Sequence, residues 1–297
     1  MKVKILFAAF LLSIILAACR NVAIGSIGNN VCKTLEKKTI LYAIFVDSDA
    51  THPWSEYDIN STLDSIQISV DWIIKQANKS GVNLTIDIEH AHKNEKIPFK
   101  EKLRYETLSG TLFKYRDLRK GINLIDDWSD KVSKDVARTL DDDTSTVVSS
   151  KNRSNNRERM IAKLRNQYKT DNVAVLYFIN NYYENEVSVA FHTASNSETE
   201  FAVLSTKETP VIAHEFLHLF GAWDLYESPF DRGFFQKRRK KRAMKNYPNE
   251  IMAFTHKRNI DSLEISPLTE YLIGWSPKLD KKESLGLIGR RWKLLEY

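Results

Sequence analysis

The sequence is poor in the residues that mark several special classes of protein. Its 297 residues include only 2 Cys, 10 Gly and 7 Pro. Two cysteines exclude a disulfide-dense scaffold and a zinc module built from four thiolates, and so little glycine and proline excludes a collagen-like or low-complexity chain. A strong excess of one sign of charge is also missing, because 44 basic residues stand against 38 acidic ones, and this balance by itself indicates no nucleic-acid binding. With 42% hydrophobic and 28% charged residues, the composition is typical of a folded globular protein.

The longest apolar run lies at the very start of the chain. Lys2 and Lys4 precede the run Ile5–Leu16, which is interrupted only by Ser13. A dozen apolar residues are too few to span a hydrocarbon core of ~30 Å, but they match the apolar region of a signal peptide. The sequence therefore predicts a signal peptide over residues 1–18.

The apolar run ends in Leu16-Ala17-Ala18-Cys19, which resembles the lipobox of bacterial lipoproteins. The resemblance implies that Cys19 becomes the first residue of the mature protein and carries palmitate or similar acyl chains. It also implies a lipid-anchored protein of the bacterial cell envelope, at the outer membrane or the cell surface. More than one acyl chain anchors a protein stably, whereas one chain is marginal. An ordinary secretory signal that ends in Cys is the alternative.

A polar segment follows the predicted lipid attachment site. Residues 19–38 have the composition of a flexible tether between the lipid and a folded domain. If Cys19 is acylated, Cys32 has no partner for an intramolecular disulfide, so the stability of the domain must come from its core. The alternative, that Cys32 is a reactive or metal-binding thiol, has no supporting neighbours in the sequence.

Hydrophobic patterns after residue 38 predict an α/β (α+β) fold. Apolar residues of Ile59–Ala77 recur at three- and four-residue spacing, as in an amphipathic helix that ends near Gly81. Because strand-like runs flank it, the opening is β-α-β and predicts a twisted mixed sheet covered by helices. Residues 141–156 are polar except for Val147 and Val148 and are predicted to form an exposed insertion. The predicted strands are Thr39–Val46, Val82–Ile88, Val173–Ile179, Val187–His192 and Phe201–Ser205, and the further helices are Asp126–Leu140, Arg157–Tyr168 and Ser266–Trp275.

The segment with recognisable chemistry begins at Thr209-Pro210, where Thr is a good N-cap and Pro suits the first helical position. An apolar stripe at helical spacing follows. Beside this stripe, His214 and His218 lie one turn apart on one helix face, which is the geometry that two imidazoles need to share one zinc ion. Glu215 can then reach a metal-bound water rather than the metal. Gly221 is placed to end the helix in a left-handed conformation.

Residues 214–224 read His-Glu-Phe-Leu-His-Leu-Phe-Gly-Ala-Trp-Asp and resemble the extended zinc signature of the metzincin metallopeptidases. The usual third ligand of that family is a His, and the Asp at this position is similar to the variant in snapalysin-like peptidases. The resemblance implies a metzincin-like catalytic domain with one catalytic Zn²⁺ held by His214, His218 and Asp224. It also implies that Glu215 is the general base.

Metzincins have a Met-turn beneath the metal, downstream of the signature. Met252, within the turn-prone segment Pro248–Ala253, lies at about the family's distance and matches it in kind. An ordinary core methionine is the alternative. Many members have a Tyr two residues after the Met, where this sequence has Phe254, so Tyr226 and Tyr247 are the candidates for a phenol at the site.

Glu270 is a rival for the third ligand position. In the gluzincins the third ligand is a Glu on a later helix, and Glu270 lies on the predicted helix Ser266–Trp275. No matching acidic motif surrounds it, so Asp224 is the preferred ligand.

The largest block of charge is Lys237-Arg238-Arg239-Lys240-Lys241-Arg242. One interpretation is a solvated insertion loop. The other is a contact with anionic lipid headgroups or with an acidic substrate. No aromatic platform or nucleic-acid-binding motif accompanies the run, so nucleic acid is not an expected partner.

These features predict an N-terminal catalytic subdomain over residues 39–221 and a C-terminal subdomain over residues 222–297. The predicted function is that of a monomeric, membrane-anchored zinc endopeptidase acting on peptides or proteins. One alternative is a non-catalytic, zinc-containing surface lipoprotein that binds a partner, although a structural zinc would need no general base at Glu215. The other is a zinc amidase that acts on a cell-wall bond, which shares the same chemistry.

Overall fold

A computed structural model describes residues 34–49, 51–91, 98–103, 118–140, 156–180, 188–191, 201–226, 234–253, 255 and 257–279. The predicted signal peptide, Cys19 and Cys32 lie outside the described residues, as do residues 141–155 of the predicted insertion. A search of the described ranges finds no helix that is both long enough and apolar enough to cross a membrane.

Six strands in the described residues form one mixed sheet. They are β1 (Lys37–Asp47), β2 (Leu84–His90), β3 (Phe99–Lys100), β4 (Asn172–Ile179), β5 (Ser188–Phe191) and β6 (Phe201–Leu204). The sheet order is β2-β1-β4-β6-β5, and β3 pairs with the end of β1. Only the pairing of β5 with β6 is antiparallel. All five strand predictions are confirmed to within two residues at each end, and β3 is a strand that the sequence did not predict.

In the described ranges, six α-helices connect the strands or follow them. They are α1 (Glu56–Lys79), α2 (Leu118–Thr139), α3 (Asn156–Tyr168), α4 (Thr209–His218), α5 (Phe234–Asn246) and α6 (Pro267–Leu272). The capping box of α1 joins Ser55 and Asp58 reciprocally. Gly81, with φ of 71°, turns the chain just after α1, as predicted. The final helix α6 is shorter than its predicted range, and Ser266 is its N-cap.

Both faces of the sheet are buried. Along β1, Leu41 and Phe45 pack in one core cluster while Ile40 and Ile44 pack in the other, as the two-residue period of a strand requires. The first cluster, here called the α1/α4 face, also holds residues of the C-terminal segment, such as Met252. The second, the α2/α3 face, is covered by the two helices α2 and α3. Helices therefore cover a mixed sheet on both sides, which confirms the predicted α/β (α+β) class.

The folded domain begins earlier in the sequence than predicted, so the predicted tether, residues 19–38, extends too far toward the C-terminus. Leu35 is completely buried, its N–H donates to the carbonyl of Ile273, and its own carbonyl accepts from the indole of Trp275. Lys37 and Lys38 already belong to β1. The polar composition of this stretch gave no sign of these contacts, because one apolar side chain and a backbone pairing across more than 200 residues hold it in place.

The interpretation of the basic run as a solvated loop is wrong, because Lys237–Arg242 lies within α5. Lys240 is only 2% exposed, and Ala243, one turn later, is fully buried. Lys and Arg are good helix formers, and a lysine stem can pack along apolar surface, so a charged sequence can form a docked helix.

Candidate metal centre

Helix α4 is buried along almost its whole length. Every residue from Pro210 to His218 is buried, and a helix buried all round is expected to be apolar on every face. Three titratable residues in such a helix therefore require partners or a function. Thr209 is the first helical residue rather than the predicted N-cap, a position that Glu208 occupies without a side-chain cap.

Two backbone carbonyls fix the orientation of the two histidine rings. His214 Nδ1 lies 3.1 Å from the carbonyl oxygen of Ile251, and His218 Nδ1 lies 2.8 Å from that of Ala222. A carbonyl can only accept a hydrogen bond, so both Nδ1 atoms carry the proton and donate. Both Nε2 atoms are then free of hydrogen in the neutral rings, which is the tautomer of a metal-ligating histidine whose other nitrogen is held by a carbonyl.

The chain reverses direction immediately after α4. Gly221 has φ of 97°, its N–H donates to the carbonyl of His218, and the N–H of Ala222 donates to that of Leu217. This pair of bonds is the Schellman arrangement, in which a left-handed residue closes the helix end. The reversal returns Asp224 toward the histidines. The next residue, Leu225, is also fixed in position, because its N–H donates a hydrogen bond to the carbonyl of Met252 at 2.7 Å.

Three potential ligand atoms converge on one point. The two Nε2 atoms of His214 and His218 lie 3.0 Å apart, and Asp224 Oδ1 lies 3.1 Å from each of them. Ligands at ~2.0–2.1 Å from one tetrahedral zinc would be about 3.3 Å apart, so the three atoms need little adjustment to hold one ion. With the tautomers fixed as above, three lone pairs face each other and require a cation between them. The His214-His218-Asp224 group can therefore hold a metal ion.

The pKa values of His218 and Asp224 also indicate that the site requires a positive charge. Burial lowers the pKa of His218, but the neighbouring Asp224 carboxylate outweighs burial and raises that pKa to about 9. Burial raises the pKa of Asp224, yet the two histidines hold it well below the ordinary range. A proton on His218 thus compensates Asp224 in the metal-free protein, and a metal ion supplies the same positive charge.

Glu215 is buried at 4% exposure beside this group. Among the described residues, no donor reaches its Oε2 atom. Leaving a buried carboxylate oxygen without a partner costs about 1–3 kcal/mol, so this atom is held ready for a ligand, a water or a proton rather than used to stabilise the fold.

The turn that contains Met252 supports the ring of His214. Met252 is fully buried, and the preceding residue, Ile251, supplies the carbonyl that His214 contacts. Glu250 stabilises this turn, because its carboxylate accepts hydrogen bonds from the N–H of Met252, the N–H of Ser266 and the hydroxyl of Thr269. Burial raises the pKa of Glu250, against these hydrogen bonds, which act to lower it.

Tyr226 is the phenol that lies beside the site. Its ring centroid is 6.0 Å from that of His214. Burial raises the pKa of its hydroxyl, and the negative charges of Asp224 and Glu215 raise it further, with a hydrogen bond to Asp224. The hydroxyl therefore stays protonated and can donate. Tyr247, the other sequence candidate, packs against the core of the α1/α4 face.

Glu270 does not approach the histidines. Its Oε1 accepts a hydrogen bond from the hydroxyl of Ser80, at the end of α1. In the structure the third member of the histidine group is Asp224, the preferred residue.

Three features of the site were missed by the sequence analysis: the carbonyls of Ala222 and Ile251, and the carboxylate of Glu250. Every residue supplies a carbonyl, so no residue type could have indicated the first two. Glu250 precedes a buried apolar segment in a polar turn, and its position was a weak signal that read equally well as a surface charge.

No protein-family model matches the chain, and a search of curated proteins finds no match.

Proposed function

We propose that the chain is a zinc-dependent endopeptidase held in the bacterial cell envelope by an acylated Cys19. The observation that supports it most strongly is the convergence of His214, His218 and Asp224 within 3.1 Å of one another, next to the buried carboxylate of Glu215. A metal that served structure alone would need the three ligands but not the acid.

Zinc is the metal that these donors fit best. Two imidazole nitrogens and one carboxylate oxygen are a donor set of catalytic zinc sites, which use three protein ligands and leave one position open. The harder cations Mg²⁺ and Ca²⁺ prefer sites made of oxygen atoms. The carbonyls of Ile251 and Ala222 keep both rings in the tautomer that binds such an ion.

A bound zinc ion supplies Lewis acidity that activates a water molecule and polarises the scissile carbonyl. The residues of this chain then move the protons. Glu215 accepts a proton from the attacking water at its buried carboxylate and passes it to the nitrogen of the leaving amine as the C–N bond breaks. Tyr226 can donate its hydroxyl hydrogen to the carbonyl oxygen as negative charge develops there.

Strand β5 is the proposed binding edge for the substrate. The two candidates are β5 and β6, which correspond to the predicted strands Val187–His192 and Phe201–Ser205. In the structure β6 lies between β4 and β5, so its backbone is already paired on both sides. In the described part of the sheet β5 has β6 as its single neighbour. A peptide in extended form can add to this edge through backbone hydrogen bonds.

The test is hydrolysis of a peptide library by the full acylated chain in detergent, with and without a chelator. A shortened form starting at Lys38 would lose the buried Leu35 and is unsuitable. We expect cleavage that a chelator abolishes and zinc restores. Glu215→Ala is expected to lose ~10²–10⁴-fold in rate while keeping its zinc, and the exposed Glu264→Gln serves as the control.

Two outcomes would contradict the proposal. Zinc binding without hydrolysis of any peptide would favour a partner-binding lipoprotein, and a zinc-dependent cut in cell-wall fragments alone would favour an amidase. Full activity in Glu215→Ala would remove this residue from the reaction.

A further inference from the structure

We propose that the outer face of α5 is a docking surface for anionic lipid headgroups. The outer face is defined as Lys241, Arg242, Met244 and Lys245. The inference rests on the lipid anchor of the proposed function and adds a defined orientation of the anchored domain.

The charged residues of helix α5 are all basic. Seven of its 13 residues are Lys or Arg and none is acidic. Like charges three or four residues apart on a helix destabilise it, so the fold gains nothing from this composition. A charge pattern that costs stability in the free protein indicates a binding surface for an anion.

The helix buries one side and presents the other to solvent. Lys240 and Ala243 are buried, whereas Lys241, Arg242 and Lys245 are exposed. No salt bridge within the described ranges compensates these three cations. Met244, 48% exposed, directly precedes Lys245 and lies by helical spacing at the margin of these cations. Basic residues with an exposed apolar side chain match the headgroup region of a membrane better than they match bulk water.

The orientation of α5 favours a membrane over an acidic substrate. Lys240 points inward, with its Nζ 6.0 Å from the ring of Tyr226, which lies beside His214. At ~100° per residue, Lys241, Arg242 and Lys245 lie about 100–200° round the helix from Lys240. The exposed cations thus face away from the metal centre, where a bound peptide would not meet them.

The predicted tether is short enough to bring this face to the bilayer. Thr34, the first described residue, lies 15 positions after Cys19 in the sequence. A chain of that length spans at most ~50 Å even when fully extended. The attraction between cations and an anionic surface falls off within a Debye length of ~8 Å at physiological salt, so the tether keeps the exposed cations of α5 close enough to the bilayer for this attraction to act.

The experiment uses the full acylated chain in vesicles of phosphatidylcholine, alone or mixed with phosphatidylglycerol. A donor fluorophore is attached at Met244→Cys in a Cys32→Ser background, and an acceptor is attached to lipid headgroups. A second protein carries the donor at Lys134→Cys on α2, on the other face of the sheet. We expect energy transfer from position 244 to rise in the anionic vesicles, and transfer from position 134 to fall or stay constant.

Charge reversal tests the residues directly. The triple variant Lys241→Glu, Arg242→Glu and Lys245→Glu should return transfer from position 244 to its value in neutral vesicles. Reversal of three exposed cations of α2 changes the net charge equally and should leave the transfer unchanged; these are Lys131, Lys134 and Arg138. High salt should also reduce the transfer of the unmodified helix, and this arm needs no charge-reversed variant to fold.

Equal transfer in both kinds of vesicle, or an equal loss in the α2 variant, would overturn the proposal. Unchanged transfer in the α5 variant with slower hydrolysis of acidic peptides would identify a substrate surface instead. Mass analysis of the same protein separates failure of the anchor, seen as a missing acyl mass, from failure of docking on an acylated chain.

Discussion

Each face of the sheet buries a cluster of charged or titratable residues. The two clusters differ in whether the chain itself supplies the compensating positive charge. On the α2/α3 face, Arg157 is 1% exposed and both of its terminal nitrogens donate to Asp126 at 2.8 Å. The guanidinium also lies 3.9 Å over the ring of Phe201. On the α1/α4 face, His214, His218 and Asp224 bring three acceptor atoms together. One cluster contains its own counter-charge, and the other requires a cation from outside.

This difference separates a structural role from a functional one. A buried ion pair completed within the chain can hold α2, α3 and β6 together without any ligand. A buried set of acceptors is costly unless a cation from outside the chain, either a proton on His218 or a metal ion, supplies the positive charge. Burial alone therefore does not identify a functional site, whereas a rigid set of acceptors that must take its cation from outside the chain does.

The largest effect is expected from removing one member of the acceptor set of the metal centre. Asp224→Ala should weaken zinc binding by more than ~100-fold, a larger effect than loss of an outer partner of a ligand. Glu270→Ala should bind zinc as the unaltered chain does, because its carboxylate contacts Ser80 instead. Competition with a chromogenic chelator measures both affinities, and the reverse pattern would assign the third ligand to Glu270.

Removal of Arg157, the cation of the cluster on the α2/α3 face, should lower the stability of the fold rather than the affinity for zinc. Arg157→Met leaves the carboxylate of Asp126 without its partner, and breaking a buried pair in this way costs about 3 kcal/mol or more. The free energy of unfolding, measured by denaturant titration, should fall by that amount, with zinc affinity of the folded protein unchanged. A loss of zinc affinity without a loss of stability would show that the two faces are not separate in function.

The smallest of these effects is expected for Glu250→Gln, which tests the support of the metal centre. Gln keeps the shape of the side chain but turns an N–H group toward donors that now meet a carboxylate. The Met252 turn and its Ile251 carbonyl should shift, and zinc affinity should fall by ~10–100-fold, as for other partners of ligands. Glu264→Gln, on an exposed residue of the bridge that pairs with Glu250, should change it little.

The sequence predicted those parts of the fold and site that depend on local patterns. The strand β1, the helix α1 and the pairing of His214 with His218 all follow from spacing along one element. Gly221 also carried its own signal, because a left-handed helix end favours glycine.

The parts that were missed depend on contacts between distant segments. Leu35 is held by residues near 273–275, so its burial could not be read from the polar stretch around it. Glu208 displaced Thr209 as the N-cap, although the difference is a single residue. The helical state of the basic run depends on burial of Lys240 and Ala243 against the core, which a charge pattern does not reveal.

The most direct test of the central claim is the zinc content of the protein. The full chain is stripped with a chelator, dialysed against zinc and analysed for metal per chain. We predict one zinc ion per chain for the unaltered protein and for Glu215→Ala, and none for the variant in which both His214 and His218 are replaced by Ala. An unaltered chain that takes up no zinc, or a double histidine variant that retains it, would contradict the account.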